Sequence, residues 1–313
     1  MYIKRFLVNT NITFCSHYGG FIMVSLCIKT NNNIAIDYLI NNISNINLDD
    51  IVFVRKKFSK YTNIIVHYLG TNISEFYNEI SSVIAKCIID KYETTIIYKL
   101  LISNYFYFDE IDMNIIKDNC KLLLDRKHTD TPTIESSIVN RTKYLWTSVL
   151  RYITNNKSIF FDGFITFRIR DYINCLDEVL DFAVSQFVVN REYAEFIDML
   201  KVYITSRTPC TELVHLIYLN EEAILLDKQK NVISLSKNNL DTCYLSDISF
   251  SANDYALNSL LSLLPSKLII HLVSPADDFI NTLQAVFGNA ITICTDCEIC
   301  KVYKSLNKTK DLF

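Results

Sequence analysis

The chain has 313 residues, half of them hydrophobic, which is enough to bury a full core and excludes general disorder. Its formal net charge is −3 and it has no long basic block, so no nucleic-acid partner is expected. Ten cysteines are present, but Cys15, Cys27, Cys87, Cys120, Cys175, Cys210 and Cys243 stand singly, which is not the spacing of a small disulfide scaffold, so a reducing, cytoplasmic setting is expected.

Residues 6–28 carry no formal charge and follow Lys4 and Arg5. Asn9, Asn11, Ser16 and His17 nonetheless interrupt any apolar run of the signal-peptide or membrane-span kind. Met23 opens MVSLCIKT, a good strand, and Gly19-Gly20 upstream fits the translated image of a ribosome-binding sequence. Translation is therefore expected to begin at Met23, with residues 1–22 an upstream extension.

From Val24 the pattern reads strand, helix, hairpin, helix. Asn31 to Asn33 offer caps for the first helix, and the polar run KKFSKY separates the two hairpin strands. A helix over 71–91 and a strongly apolar helical run over 92–124 complete an N-terminal α+β region, 23–127. No membrane span is expected, because the most apolar part, TTIIYKLLISNYFYF, is too short and contains Lys99.

RKHTDTPTIES reads as a linker into a helical region, 128–207. One helix is expected over 133–155. In the stretch 158–204, Asp162 is placed as an N-cap, and Phe164, Tyr172, Leu176, Val179, Ala183 and Phe187 form an apolar stripe. Asn190 is expected to break that stripe into two helices.

The last region, 208–313, reads β-β-α-β-α-β, a small α/β domain. A hairpin turns at Asn220-Glu221, and Ser251 and Asp254 start a helix that Pro265 ends. A strand over 267–273 carries His271. Ser274-Pro275 is expected to open the next helix, Gly288 to end it, and 290–293 to form the last strand. Strand–helix–strand at this length implies a right-handed parallel crossover. The fold class is therefore α+β: a small N-terminal α/β layer, a helical middle and a small C-terminal α/β domain.

Cys294-x-x-Cys297-x-x-Cys300 follows that last strand and is the one constellation with metal-ligand spacing. Thiolates suit zinc or an iron–sulfur cluster. CKVYKSLNKTK supplies no fourth cysteine, so the fourth ligand must come from elsewhere: His271 on the neighbouring strand, Cys243, His215 or another subunit. Two other readings stand beside metal, a redox-active C-x-x-C pair and reduced cysteines in a tight turn. Lys301, Lys304, Lys308 and Lys310 read as a solvated basic tail. There is no glycine-rich phosphate loop, G-x-S-x-G elbow or H-E-x-x-H pair.

The run FDGFITFRIRDY, the acidic helix after it, NREYAEFIDMLKVYI, and the later ITICTDCEIC resemble the YtxC-like family of sporulation proteins from endospore-forming bacteria. The resemblance is close over the last half of the chain and extends to the first half in general layout. It implies a process, sporulation, and no reaction. With no catalytic constellation, the chain is read as a non-enzymatic sporulation protein acting on a protein partner; the alternative is a metal- or thiol-dependent enzyme using Cys294, Cys297 and Cys300.

Overall fold

The computed structural model describes residues 23–126, 131–233 and 251–310, with the side chains of 306–310 excepted. The expected upstream extension 1–22, the centre of the linker at 127–130 and Cys243 lie outside the described residues. Contacts divide the chain into two compact units, one reaching Val188 and one beginning at Val189. The architecture is α+β, with one four-stranded mixed sheet and its helices in each unit.

The first unit begins with the expected β-α-β-β-α order: β1 (Val24–Thr30), α1 (Asn33–Ser44), β2 (Ile51–Lys57), β3 (Thr62–Tyr68) and α2 (Ile73–Asn104). Asn32 caps α1, its side chain accepting from the N–H groups of Ile34 and Ala35. β3 alternates strictly, placing Thr62, Ile64, Val66 and Tyr68 inward. α3 (Glu110–Asp125), α4 (Pro132–Asn155), β4 (Ser158–Phe160), α5 (Phe161–Phe167) and the first half of α6 (Arg170–Thr205) follow. The sheet order is β2-β3-β1-β4, antiparallel except for the parallel β1–β4 edge.

Several details differ from the sequence reading. α2 runs 32 residues without a break, because neither Gly nor Pro interrupts it. α6 likewise runs 36 residues straight through Asn190, an exposed position where asparagine costs a helix only tenths of a kcal/mol. Asp162 lies in the first turn of α5 rather than at its cap, and its carboxylate accepts from the Thr30 hydroxyl at 3.2 Å.

The second unit holds β5 (Thr211–Leu219), β6 (Glu222–Leu226), α7 (Ala252–Leu263), β7 (Pro265–Leu272), α8 (Asp278–Phe287), β8 (Ile291–Cys294) and α9 (Glu298–Lys310). Its sheet order is β6-β5-β7-β8, with β5, β7 and β8 parallel and β6 an antiparallel edge. Ser251 and Asp254 form a reciprocal capping box on α7. The cap of α8 is Asp277 rather than Ser274, and its carboxylate takes the N–H groups of Phe279 and Ile280 and the Tyr218 hydroxyl. That carboxylate already fills the place an anion would take.

The β5–β6 turn puts Asn220 and Glu221 at φ 50° and 63°, the paired left-handed conformation of a two-residue hairpin. Glutamate is strained there. Glu221→Gly is expected to raise stability by about 1 kcal/mol, read as a higher thermal midpoint; a lower midpoint would contradict the turn.

Candidate metal centre

The two faces of the second sheet differ. Val214, Leu216, Tyr218, Leu268 and Ile270 point into an apolar core shared with Ala256 and Leu260 of α7 and Ile280 and Leu283 of α8. The alternate residues face the other way, and register aligns them: His215 opposite Ile269, Ile217 opposite His271, His271 opposite Cys294. Because side chains alternate along a strand, His215, His271 and Cys294 share one face.

After Cys294 the chain turns through Thr295 and Asp296 and enters α9. The carbonyl of Cys297 accepts the N–H of Lys301, so Cys297 sits at the mouth of that helix and Cys300 falls in its first turn. Cys300 is fully buried, and its thiol donates to the Cys294 carbonyl at 3.4 Å. Lys304 Nζ reaches back to the Thr295 carbonyl at 2.7 Å and closes the loop.

Four ligand atoms converge as a result. His271 Nδ1 lies 3.3 Å from Cys297 Sγ and 3.6 Å from Cys300 Sγ. Cys300 Sγ lies 3.6 Å from Cys297 Sγ and 3.9 Å from Cys294 Sγ. All four atoms fall within 4.8 Å of one another. Bonds of about 2.3 Å to sulfur and about 2.0 Å to nitrogen at tetrahedral angles set donor atoms about 3.5–3.8 Å apart. These four separations bracket that range and the other two are at most 4.8 Å, so the donors stand near the corners of one tetrahedron.

Of the four candidates for a fourth ligand, the structure brings His271 into the cluster. His215 stands behind it: His215 Nδ1 and His271 Nε2 are 3.0 Å apart, and the rings stack at 18° with centroids 5.2 Å apart. One of those two nitrogens must carry the proton. If Nδ1 of His271 is the ligand atom, its Nε2–H donates to His215, the outer hydrogen bond that fixes the ring and tautomer of a metal-binding histidine. Burial, and then nearby charge including Lys230, hold both imidazoles below the usual histidine pKa, so both are neutral near pH 7.

The thiols are tuned unequally. Burial alone would push Cys297 up, but the N–H groups of Cys300 and Ile299 and the neighbouring thiols hold it below its ordinary value. Burial pushes the Cys300 thiol up to about 11. None of the described cysteines forms a disulfide, including Cys27, Cys87, Cys120, Cys175 and Cys210 outside the cluster.

The comparisons agree with the motifs. Over 207 residues the chain is 21% identical to the uncharacterized protein YtxC of Bacillus subtilis (strain 168), which covers 64% of this chain and 72% of that protein. No solved structure matches it. No helix among the described residues is long and apolar enough to cross a membrane. The model of the YtxC-like family matches residues 78–292, more than half of the sequence, and the chain belongs to that family.

Proposed function

We propose that this is a non-enzymatic sporulation protein of the reducing cytoplasm that works by binding a protein partner, with its C-terminal unit held by a structural zinc ion on Cys294, Cys297, Cys300 and His271. The observation that carries the metal reading is the convergence of three thiols and one imidazole nitrogen within 4.8 Å at tetrahedral spacing. Three cysteines and one histidine are a common structural zinc set. A single ion is favoured over an iron–sulfur cluster, whose ligands bind different irons and stand farther apart than donors on one ion.

Four protein ligands fill a tetrahedral ion and leave no open position for substrate, which supports a structural rather than a catalytic role. The sporulation role rests on kinship with the YtxC-like family. Its test is the count of heat-resistant spores in a clean deletion strain complemented by the wild-type gene or by Cys300→Ser. Loss in the deletion, rescue by wild type and poor rescue by Cys300→Ser are expected. A wild-type count in the deletion strain would remove the process assignment.

His215 supplies a second, finer test of the site. His215→Phe keeps a ring behind His271 but removes the acceptor for its Nε2–H. A 10- to 100-fold loss of zinc affinity is expected, measured by competition with a chelator. Unchanged affinity would mean that the His215 hydrogen bond does not hold His271 as a ligand.

A thiol-redox enzyme is the second reading. It is favoured by the unequal tuning of Cys297 and Cys300, whose sulfurs lie 3.6 Å apart. Reversible two-electron oxidation of the metal-free protein to a Cys297–Cys300 disulfide, at a potential matching cellular thiols, would promote it.

A further inference from the structure

A groove in the first unit is lined by matching rows from two helices. α2 contributes Ser82, Ala85, Lys86 and Ile89; α4 contributes Val139, Thr142, Lys143 and Trp146. Each row has the i, i+3, i+4, i+7 spacing of one helix face, so the groove follows the helices for about 10 Å. It exists because Ser82, Ala85 and Thr142 are short where larger side chains would close the gap. Its volume is about 410 Å³, within the range of roughly 300–1,000 Å³ found for small-molecule sites.

The chemistry of the walls is two-sided. Ile89, Val139 and the Trp146 ring make the interior apolar, and Val139 is 61% exposed to solvent. One ammonium stands on each rim, Lys86 on α2 and Lys143 on α4. Among the described residues neither pairs with a carboxylate. Two unpaired cations across an apolar trough complement an apolar chain with an anionic end.

We infer that the α2–α4 groove is a binding site for a free single-chain anionic amphiphile, its chain of roughly eight to ten carbons between Ala85 and Trp146 and its anionic head between Lys86 and Lys143. Each methylene buried tightens binding by about fourfold, so affinity rises with chain length until the groove is full.

Trp146 is the chain's sole tryptophan, so its fluorescence reports on this groove alone. The probe is decanoate carrying bromine near its chain end, added to the full-length protein below its micelle concentration. Saturable quenching at one equivalent is expected. Octanoate should compete about tenfold less well than decanoate. Decyltrimethylammonium, with the same chain and opposite charge, should not compete. Lys86 and Lys143 are exposed, so K86A/K143A keeps the fold and should weaken the probe by tenfold or more. Thr142, also exposed, is the filling position: Thr142→Phe should block quenching. Competition by the cationic amphiphile equal to that of decanoate, quenching unchanged in Thr142→Phe, or no saturable quenching in the wild type would each overturn the inference.

Discussion

Stripping the proposed zinc ion from the second unit is expected to release helix α9 while leaving the sheet folded. The apolar core of that unit draws on α6, α7, α8 and strands β5 to β8, and no described residue of α9 belongs to it. Of the described α9 side chains, Cys300 alone is fully buried, and Val302 is 54% exposed. Besides the cysteines, α9 is tied by a Lys304 hydrogen bond to Thr295, a 3.9 Å Lys301–Asp296 pair on the surface and the half-buried Ile299 and Tyr303. Exposed contacts of this kind contribute little. A helix of 13 residues is marginal on its own in water. On the proposed reading, the zinc ion therefore supplies most of the docking energy. An ion present at a thousand times its dissociation constant stabilises the folded form by about 4 kcal/mol. Chelation should lower the stability of the unit by about that amount, and amide exchange should become fast over residues 298–305 while β5 and β7 stay protected. Uniform loss of protection across the sheet would show that the metal holds the whole core, and unchanged exchange in α9 would show that it holds nothing.

Arg141→Leu is expected to cost the first unit about 3–5 kcal/mol, the usual cost of leaving a buried charge without its partner. Glu93 of α2 is buried. Its carboxylate accepts from Arg141 Nε of α4 at 3.2 Å and from the Tyr172 hydroxyl of α6 at 2.6 Å. Arg141 also donates from Nη1 to the Ile138 carbonyl at 2.8 Å. Burial, then the Glu93 carboxylate, push the Tyr172 phenol well above its ordinary pKa, so it remains the donor at neutral pH. The network joins three helices at one point, but desolvation offsets much of its attraction. Replacing all three members, as Glu93→Leu/Arg141→Leu/Tyr172→Phe, should therefore restore stability to within about 2 kcal/mol of wild type. Denaturant unfolding measures both. A single variant that loses less than about 1 kcal/mol, or a triple variant as unstable as the single, would contradict this description.

The legible parts of the sequence were those where pattern and punctuation agree. The alternation in β3, the Ser251–Asp254 box, the Asn220-Glu221 turn and the stop at Gly288 all stand where residue chemistry puts them. The strand carrying His271 and the strand ending at Cys294 could be read, and adjacency already suggested His271 as a neighbour of the cysteines. His215 sits on a strand of the same sheet, and only register separates the histidine beside the thiols from the one behind it.

What could not be read has local causes. β4 has three residues, too few for any alternation to show, and its pairing with β1 is set at a distance in sequence. α9 is polar along most of its length and reads as a basic tail; the thiols at its start bring it to the sheet. The continuity of α6 through Asn190 reflects packing over many turns outweighing the weak propensity of one residue.

The most direct measurement is the metal content of protein purified without oxygen, beside its Cys300→Ser variant. Close to one zinc ion per chain is expected, lost in the variant along with the order of α9. Metal-free wild-type protein, equal in stability to the variant, would contradict it.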